Sequence, residues 1–217
     1  KATNAGMLAG FIVGTLAGVA MAMFLAYMAV GLKADAYLAG LAINTMASGG
    51  TVFILYLAAG EKGVSSSLDS GSMPFIDLPI IKDIPVIGEI FSGQNMMTYF
   101  AWLCVFLVYV ILFKTATGLR IRAVGENPHA AESVGVNVKK VQYSALAFSG
   151  LFCGFAGVSL SMSYVQFFSR GMSAGKGFIG MSAMNLGNAS PVATAVAALL
   201  FGFFDALANV MQTLSIP

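Results

Sequence analysis

Between positions 6 and 32 the chain carries no charged residue. As an α-helix those 27 residues run about 40 Å, against a hydrocarbon core of about 30 Å, so the segment can cross a bilayer with some tilt. Gly6, Gly10, Gly14 and Gly18 recur every fourth residue, and Ala22 and Ala26 continue the row. One face of the helix is therefore nearly bare, and another helix can approach it closely. That face serves either tight packing or the wall of a pore.

The rest of the chain repeats the pattern. Further apolar spans are expected at 36–59, 95–113, 141–164 and 191–212. With 58% hydrophobic and 9% charged residues and a mean hydropathy of +0.85, there is too little polar surface for a soluble domain of 217 residues. The expected fold is all-α, a polytopic transmembrane helical bundle with the lipid bilayer as its solvent. A formal net charge of +2 gives no reason to expect nucleic acid as a partner. Cys104 and Cys153 fall inside apolar segments and read as packing residues. The chain opens at Lys1, and its first apolar run is too long for a signal-peptide core, so it reads as a piece of a longer protein.

Charge decides the expected sidedness. The connection 114–140 holds Lys114, Arg120, Arg122, Lys139 and Lys140, five cations in 27 positions, whereas 60–94 holds two in 35. By the positive-inside rule the first is cytoplasmic and the second external, and the short turn at Lys33 falls inside as well. The external connection carries Pro74, Pro79 and Pro85, and DLPII from Asp77 returns as DIPVI from Asp83. An extended ribbon or short turns are expected there, acting as a cap over helix ends or as a contact for a delivery partner.

The cationic connection carries its own helix signal. Asn127 can cap, Pro128 suits the first helical position, 129–134 can make two turns, and Gly135 can close them. A small helix hung between two spans is a handle that something outside the membrane can grip. Ala130, Ala131 and Val134 offer it a small apolar face, with Arg120, Arg122, Glu126 and Glu132 around the rim. An alternative is an amphipathic segment resting on anionic lipid.

Polar residues inside apolar segments mark the other candidates. Asn44 lies on one helical face with Gly40 and Ser48, and an amide at that depth needs a bond to a neighbouring helix or a wet cavity. The apolar stretch 177–187 is too short to cross as an ordinary helix and runs into Asn188 and Pro191, so a re-entrant or broken helix is expected, with Asn185 and Asn188 beside a solute path. Asp205 is the one acid in an apolar segment, and Asn209 and Gln212 share its face. A satisfied interhelical bond is its expected role, ahead of a proton relay.

Three glycine-rich matches to enzyme motifs fall away. GMSAG at 171–175 resembles a hydrolase elbow, but that motif needs a strand, a turn and a base near Ser173, and the single histidine, His129, is expected on the other side of the membrane. GKGFIG at 175–180 has no strand before it, and GMSAGKG lacks the spacing and the Ser or Thr of a phosphate loop. One histidine and two apolar-segment cysteines make no metal set. No catalytic residue, metal ligand or bound cofactor is expected.

Residues 117–157, with Gly118, Arg122, Ala123, Gly125, Asn127, Ala130, Ala131 and Gly135 in order, resemble the cytoplasmic loop and following span of ABC importer permeases for branched-chain amino acids, ribose-type sugars and nucleosides. Residues 175–207 resemble that family's second shared block, and the region around Asn44 with the proline ribbon is most similar to the nucleoside branch, whose delivery protein is a surface lipoprotein. The resemblance implies that the small helix is a coupling helix docking on cytoplasmic ATPase subunits, through Arg120, Arg122, Glu126, Asn127, Pro128, Ala130, Ala131, Glu132, Val134 and Gly135. It implies ATP and Mg on that partner, a second permease subunit, identical or paralogous, and an extracytoplasmic solute-binding lipoprotein. It places the chain as a multi-pass protein of a bacterial-type cell membrane, importing nucleosides by alternating access, with sugars or branched-chain amino acids as alternatives. Two readings from other classes remain, an ATP-independent channel or ion-coupled carrier and an intramembrane serine hydrolase acting through Ser173.

Overall fold

The computed structural model describes residues 4–60, 63–65, 75–76, 93–164 and 167–213. Eight α-helices are found among them: α1 (Asn4–Ala26), α2 (Ala36–Ala59), α3 (Met96–Lys114), α4 (Ala116–Glu126), α5 (Pro128–Ser133), α6 (Val138–Ser159), α7 (Lys176–Leu186) and α8 (Pro191–Thr213). α1 and α6 each continue into a wider π turn, Tyr27–Gly31 and Leu160–Tyr164. Two two-residue strands, β1 (Phe75–Ile76) and β2 (Gln94–Asn95), pair antiparallel with Phe75 opposite Asn95. The repeated DLPII and DIPVI prolines lie outside the described residues.

Among the described residues, five helices are long and apolar enough to cross a membrane: Gly6–Gly31, Ala36–Ala58, Met96–Lys114, Val138–Ser163 and Pro191–Thr213. The chain is an all-α polytopic bundle. Its accessible surface is 14782 Å², against about 9,500 Å² for a compact soluble chain of 22.5 kDa. Apolar faces turn outward throughout, with Phe53, Leu57, Phe106, Phe178 and Phe203 all more than 60% exposed. Such faces suit lipid or further protein, since the bundle has little core of its own.

The closest helix contact forms where two small-residue rows meet. α1 and α6 run antiparallel in the most extensive helix pairing of the bundle. A Cβ placed on Gly18 would lie 2.7 Å from the Gly154 Cα and 2.8 Å from the Gly150 carbonyl oxygen, and one on Gly154 would lie 2.8 Å from the Thr15 Cα. Further along, Gly14 faces Val158 and Gly10 faces Met162. The backbones are in contact, and only residues without side chains allow it. Gly6 and Gly157, although in the same rows, have open space around them. Phe155 ties in the next helix, stacking on Phe11 of α1 at 5.3 Å and meeting Phe100 of α3 edge-on at 5.0 Å.

The connections sort into two ends. At one, the turn at Lys33 and Ala34 shares a groove with Glu132, Val138 and Lys139, so it lies with the cationic connection. At the other, 63–65 pairs with 168–170: Ser65 N–H donates to the Phe168 carbonyl at 2.9 Å, Phe168 N–H to Ser65 Oγ at 2.9 Å, and Arg170 N–H to the Gly63 carbonyl at 2.7 Å. α6 and its π turn, about 40 Å long, separate the two ends.

Candidate functional site

The cationic connection is more structured than its charge suggested. Three caps divide it. Thr115 Oγ1 accepts from Gly118 N–H at 3.2 Å and starts α4. Asn127 Oδ1 accepts from His129 and Ala130 N–H at 3.0 and 3.1 Å and starts α5. Asn137 Oδ1 accepts from Lys140 N–H at 3.0 Å and starts α6. Lys139 and Lys140 therefore stand in the first turn of α6, not in a loop, because the Asn137 cap brings the helix start three residues earlier than hydropathy placed it.

α5 is fixed at both ends. Pro128 occupies its first turn, where a missing N–H costs nothing. At its far end Val136 N–H donates to the Ala131 carbonyl at 3.1 Å and Gly135 N–H to the Glu132 carbonyl at 2.9 Å, with Gly135 at φ +84°. Those two bonds are the Schellman closure, which needs a residue that tolerates a left-handed backbone. α4 holds this peg against the bundle: Gly118 is buried and sits on the Ile111 and Leu112 backbone, where a Cβ could not fit. Arg122 lies over the Phe113 ring, 4.7 Å from its centroid, pinning α4 to the end of α3.

The peg's outward face differs from the expected one. Ala131 is 4% exposed and faces the chain itself, whereas Val134 is 78% exposed, with His129, Ala130, Glu132 and Ser133 also open. The helix contacts α4 and α6, and Ala131 is its buried residue. The free face is Ala130, Ser133 and Val134. Arg120, Glu126 and Gly135 are exposed around it.

The intramembrane candidates fall in separate places. Asn185 and Asn188 meet at the tip of the α7–α8 hairpin, where Asn188 N–H donates to the Asn185 carbonyl at 3.1 Å. The reversal is tight: Asn188 and Ala189 adopt φ +48° and +56°, and Gly187 lies against Thr194 with no room for a Cβ. Asp205 lies at the other end of that hairpin, sharing a 280 Å³ groove with Lys176, Ile179, Gly180, Phe201 and Gly202. Asp205 is exposed, and no hydrogen bond or ion pair joins it to another described residue. Asn209, one turn on, is exposed as well. Asn44 stands apart on α2, exposed, on a face where Gly40 has nothing within 4 Å. Ser173 lies in the turn before α7, with α6 between its end of the bundle and His129. Among the described residues no three His, Cys, Asp or Glu side chains gather as a metal site.

A short capped helix between two spans, pinned by a buried glycine, is the geometry against which relatives can be compared. Residues 1–215 match the family described as branched-chain amino acid transport system / permease component. The chain belongs to that family. Among permease relatives, it is 38% identical over 194 residues to the guanosine ABC transporter permease protein NupQ of Bacillus subtilis, covering 88% of this chain and 60% of that one. It is 35% identical over 198 residues to the nucleoside ABC transporter permease protein NupC of Lactococcus lactis, covering 91% and 62%. A putative glucose ABC transporter permease protein, TsgC13 of Haloferax volcanii, is 33% identical over 211 residues, covering 95% and 62%. The chain thus spans about three fifths of the length of these permeases. No solved structure matches it. The permease family is one of transporters rather than enzymes, and this member is a multi-pass membrane protein.

Proposed function

We propose that this chain is part of the membrane-spanning permease subunit of an ABC-type importer of nucleosides. The observation that carries the reading is α5: a peg capped by Asn127, closed at Gly135, and presenting Ala130, Ser133 and Val134 outward. A surface that small and that rigid suits a groove on an ATPase, with Arg120, Glu126 and Glu132 as its polar rim. In this reading the end carrying α5 faces the cytoplasm of a bacterial-type cell, ATP and Mg are held by the ATPase subunits, and a second permease, identical or paralogous, completes the passage. A solute-binding lipoprotein delivers to the end where 63–65 pairs with 168–170. Closure of the ATPases moves α5 as a rigid body and rocks the attached spans.

Nucleosides are favoured by the guanosine and nucleoside permeases among the relatives. The Haloferax relative favours a sugar as the second reading. Asn185 and Asn188 at the hairpin tip, Asn44 on α2 and Asp205 beside Lys176 are the proposed polar contacts along the path. The test is uptake by the complete importer in proteoliposomes loaded with ATP. Val134→Glu is expected to reduce nucleoside uptake at least tenfold while lipoprotein docking stays unchanged. Normal uptake by that variant, or flux without any ATPase, overturns the proposal; competition by glucose but not by guanosine replaces the nucleoside with the sugar.

A further inference from the structure

One groove shares no lining residue with the Asp205 groove or with the hairpin tip. It has a volume of about 600 Å³ and lies where the α1–α2 turn meets the start of α6. Its floor is Ala29, Val30, Ala34, Ala36, Val138, Ala145 and Leu146, and its polar members are Lys33, Lys139, Gln142 and Glu132. The π turn Tyr27–Gly31 contributes Ala29 and Val30, and Tyr27–Gly31 leads directly into Lys33, which holds a left-handed backbone at φ +55°. A non-glycine residue at that φ carries local strain, and two residues on Asp35 caps α2, its Oδ1 accepting from Tyr37 and Leu38 N–H at 2.9 Å each. Neither Lys33 nor Lys139 forms an ion pair with another described residue, although Glu132 borders the same groove.

Two lysines against one glutamate over an apolar floor, at the end of two membrane-spanning helices, describe the boundary between headgroups and acyl chains. A phosphate or other anion alone would satisfy the lysines and leave the floor wet. A soluble apolar ligand would leave the lysines unanswered. An anionic amphiphile answers both, with its headgroup against the ammonium groups and a chain along Val30, Ala145 and Leu146. We propose that this groove binds one anionic phospholipid from the leaflet at that end of the bundle, its phosphate held by Lys33 and Lys139 with Gln142 as a neutral donor. The bound lipid braces the α1–α2 turn against α6 beside Glu132 of α5. The proposal needs only that the chain is a multi-pass membrane protein, and stands apart from the choice of solute.

The test uses the complete importer purified from membranes in mild detergent, followed by native mass spectrometry and quantification of co-purified lipid. Wild type is expected to keep one phosphatidylglycerol or cardiolipin per permease through washing. Lys33→Gln with Lys139→Gln is expected to lower that retention about thirtyfold, since each lysine at a membrane surface contributes roughly fivefold. Lys33→Arg with Lys139→Arg restores it and controls for folding. Short-chain phosphatidylglycerol is expected to displace the lipid, while inorganic phosphate at equal concentration is not. Unchanged retention in the double glutamine variant overturns the proposal. So does displacement by inorganic phosphate, which makes the groove an ion site, or equal retention of phosphatidylcholine, which removes the lysines from recognition.

Discussion

α1 and α2 are both apolar helices with glycine-bearing faces, and they meet opposite fates. On α1, Gly18 meets the backbone of α6, while Gly14 and Gly10 are filled by the side chains of Val158 and of Met162 in the π turn that follows. On α2, Gly40, Gly49 and Gly50 have nothing within 4 Å, and Asn44 and Ser48 between them are exposed. Glycine spacing marks a face that can be packed closely, but the partner decides whether it is. The α1 face is used up in holding this chain together. The α2 face is free for whatever lies outside it, whether lipid, another subunit or a solute passage.

Substitutions can break or sharpen that contrast. The largest effect is expected from Gly154→Leu, whose side chain would have to enter the Thr15 backbone of α1. A cost of about 3 kcal/mol or more, visible as loss of the monodisperse detergent-solubilised protein, would follow. Next is Gly118→Val, which forces the Ile111 and Leu112 backbone away from α4; uptake is expected to fall at least tenfold while the α1–α6 pair, followed by a disulfide between engineered cysteines, stays formed. Asn127→Ala removes the two hydrogen bonds that start α5 and should cost about 1 kcal/mol locally, read as faster hydrogen exchange at 129–134 with little change in overall melting. The smallest effect on folding is expected from Gly40→Leu, within about 0.5 kcal/mol because the site is open in this chain. If α2 packs outside the chain, that variant still loses uptake. Equal melting losses for Gly154→Leu and Gly40→Leu would erase the distinction.

The sequence made some of this legible and hid the rest. Helix ends were readable where a cap is local: Asn127, Pro128 and Gly135 bracket α5 in the structure much as their chemistry suggests. α4 was missed, because a segment with Arg120 and Arg122 reads as a cationic loop. Its signal was there in Thr115, a residue type that caps helices, three positions before Gly118. The inward turn of Ala131 was not readable, since alanine suits either side of a short helix. The glycine row of α1 was visible, but which helix it would join was not, because α1 and α6 are more than a hundred residues apart and no local propensity encodes that pairing. The same holds for Asp205, whose neighbours depend on the tight reversal at Gly187 and Asn188.

The central claim is that a separate ATPase grips the outward face of α5. A photo-crosslinking residue placed at Val134 in the complete importer, illuminated in native membranes, tests it most directly. An adduct between the permease and the ATPase subunit is the predicted product, with none from the same probe at Phe106 on the apolar face of α3. Adducts to lipid alone from position 134, or ATPase adducts from elsewhere while position 134 gives none, would contradict it.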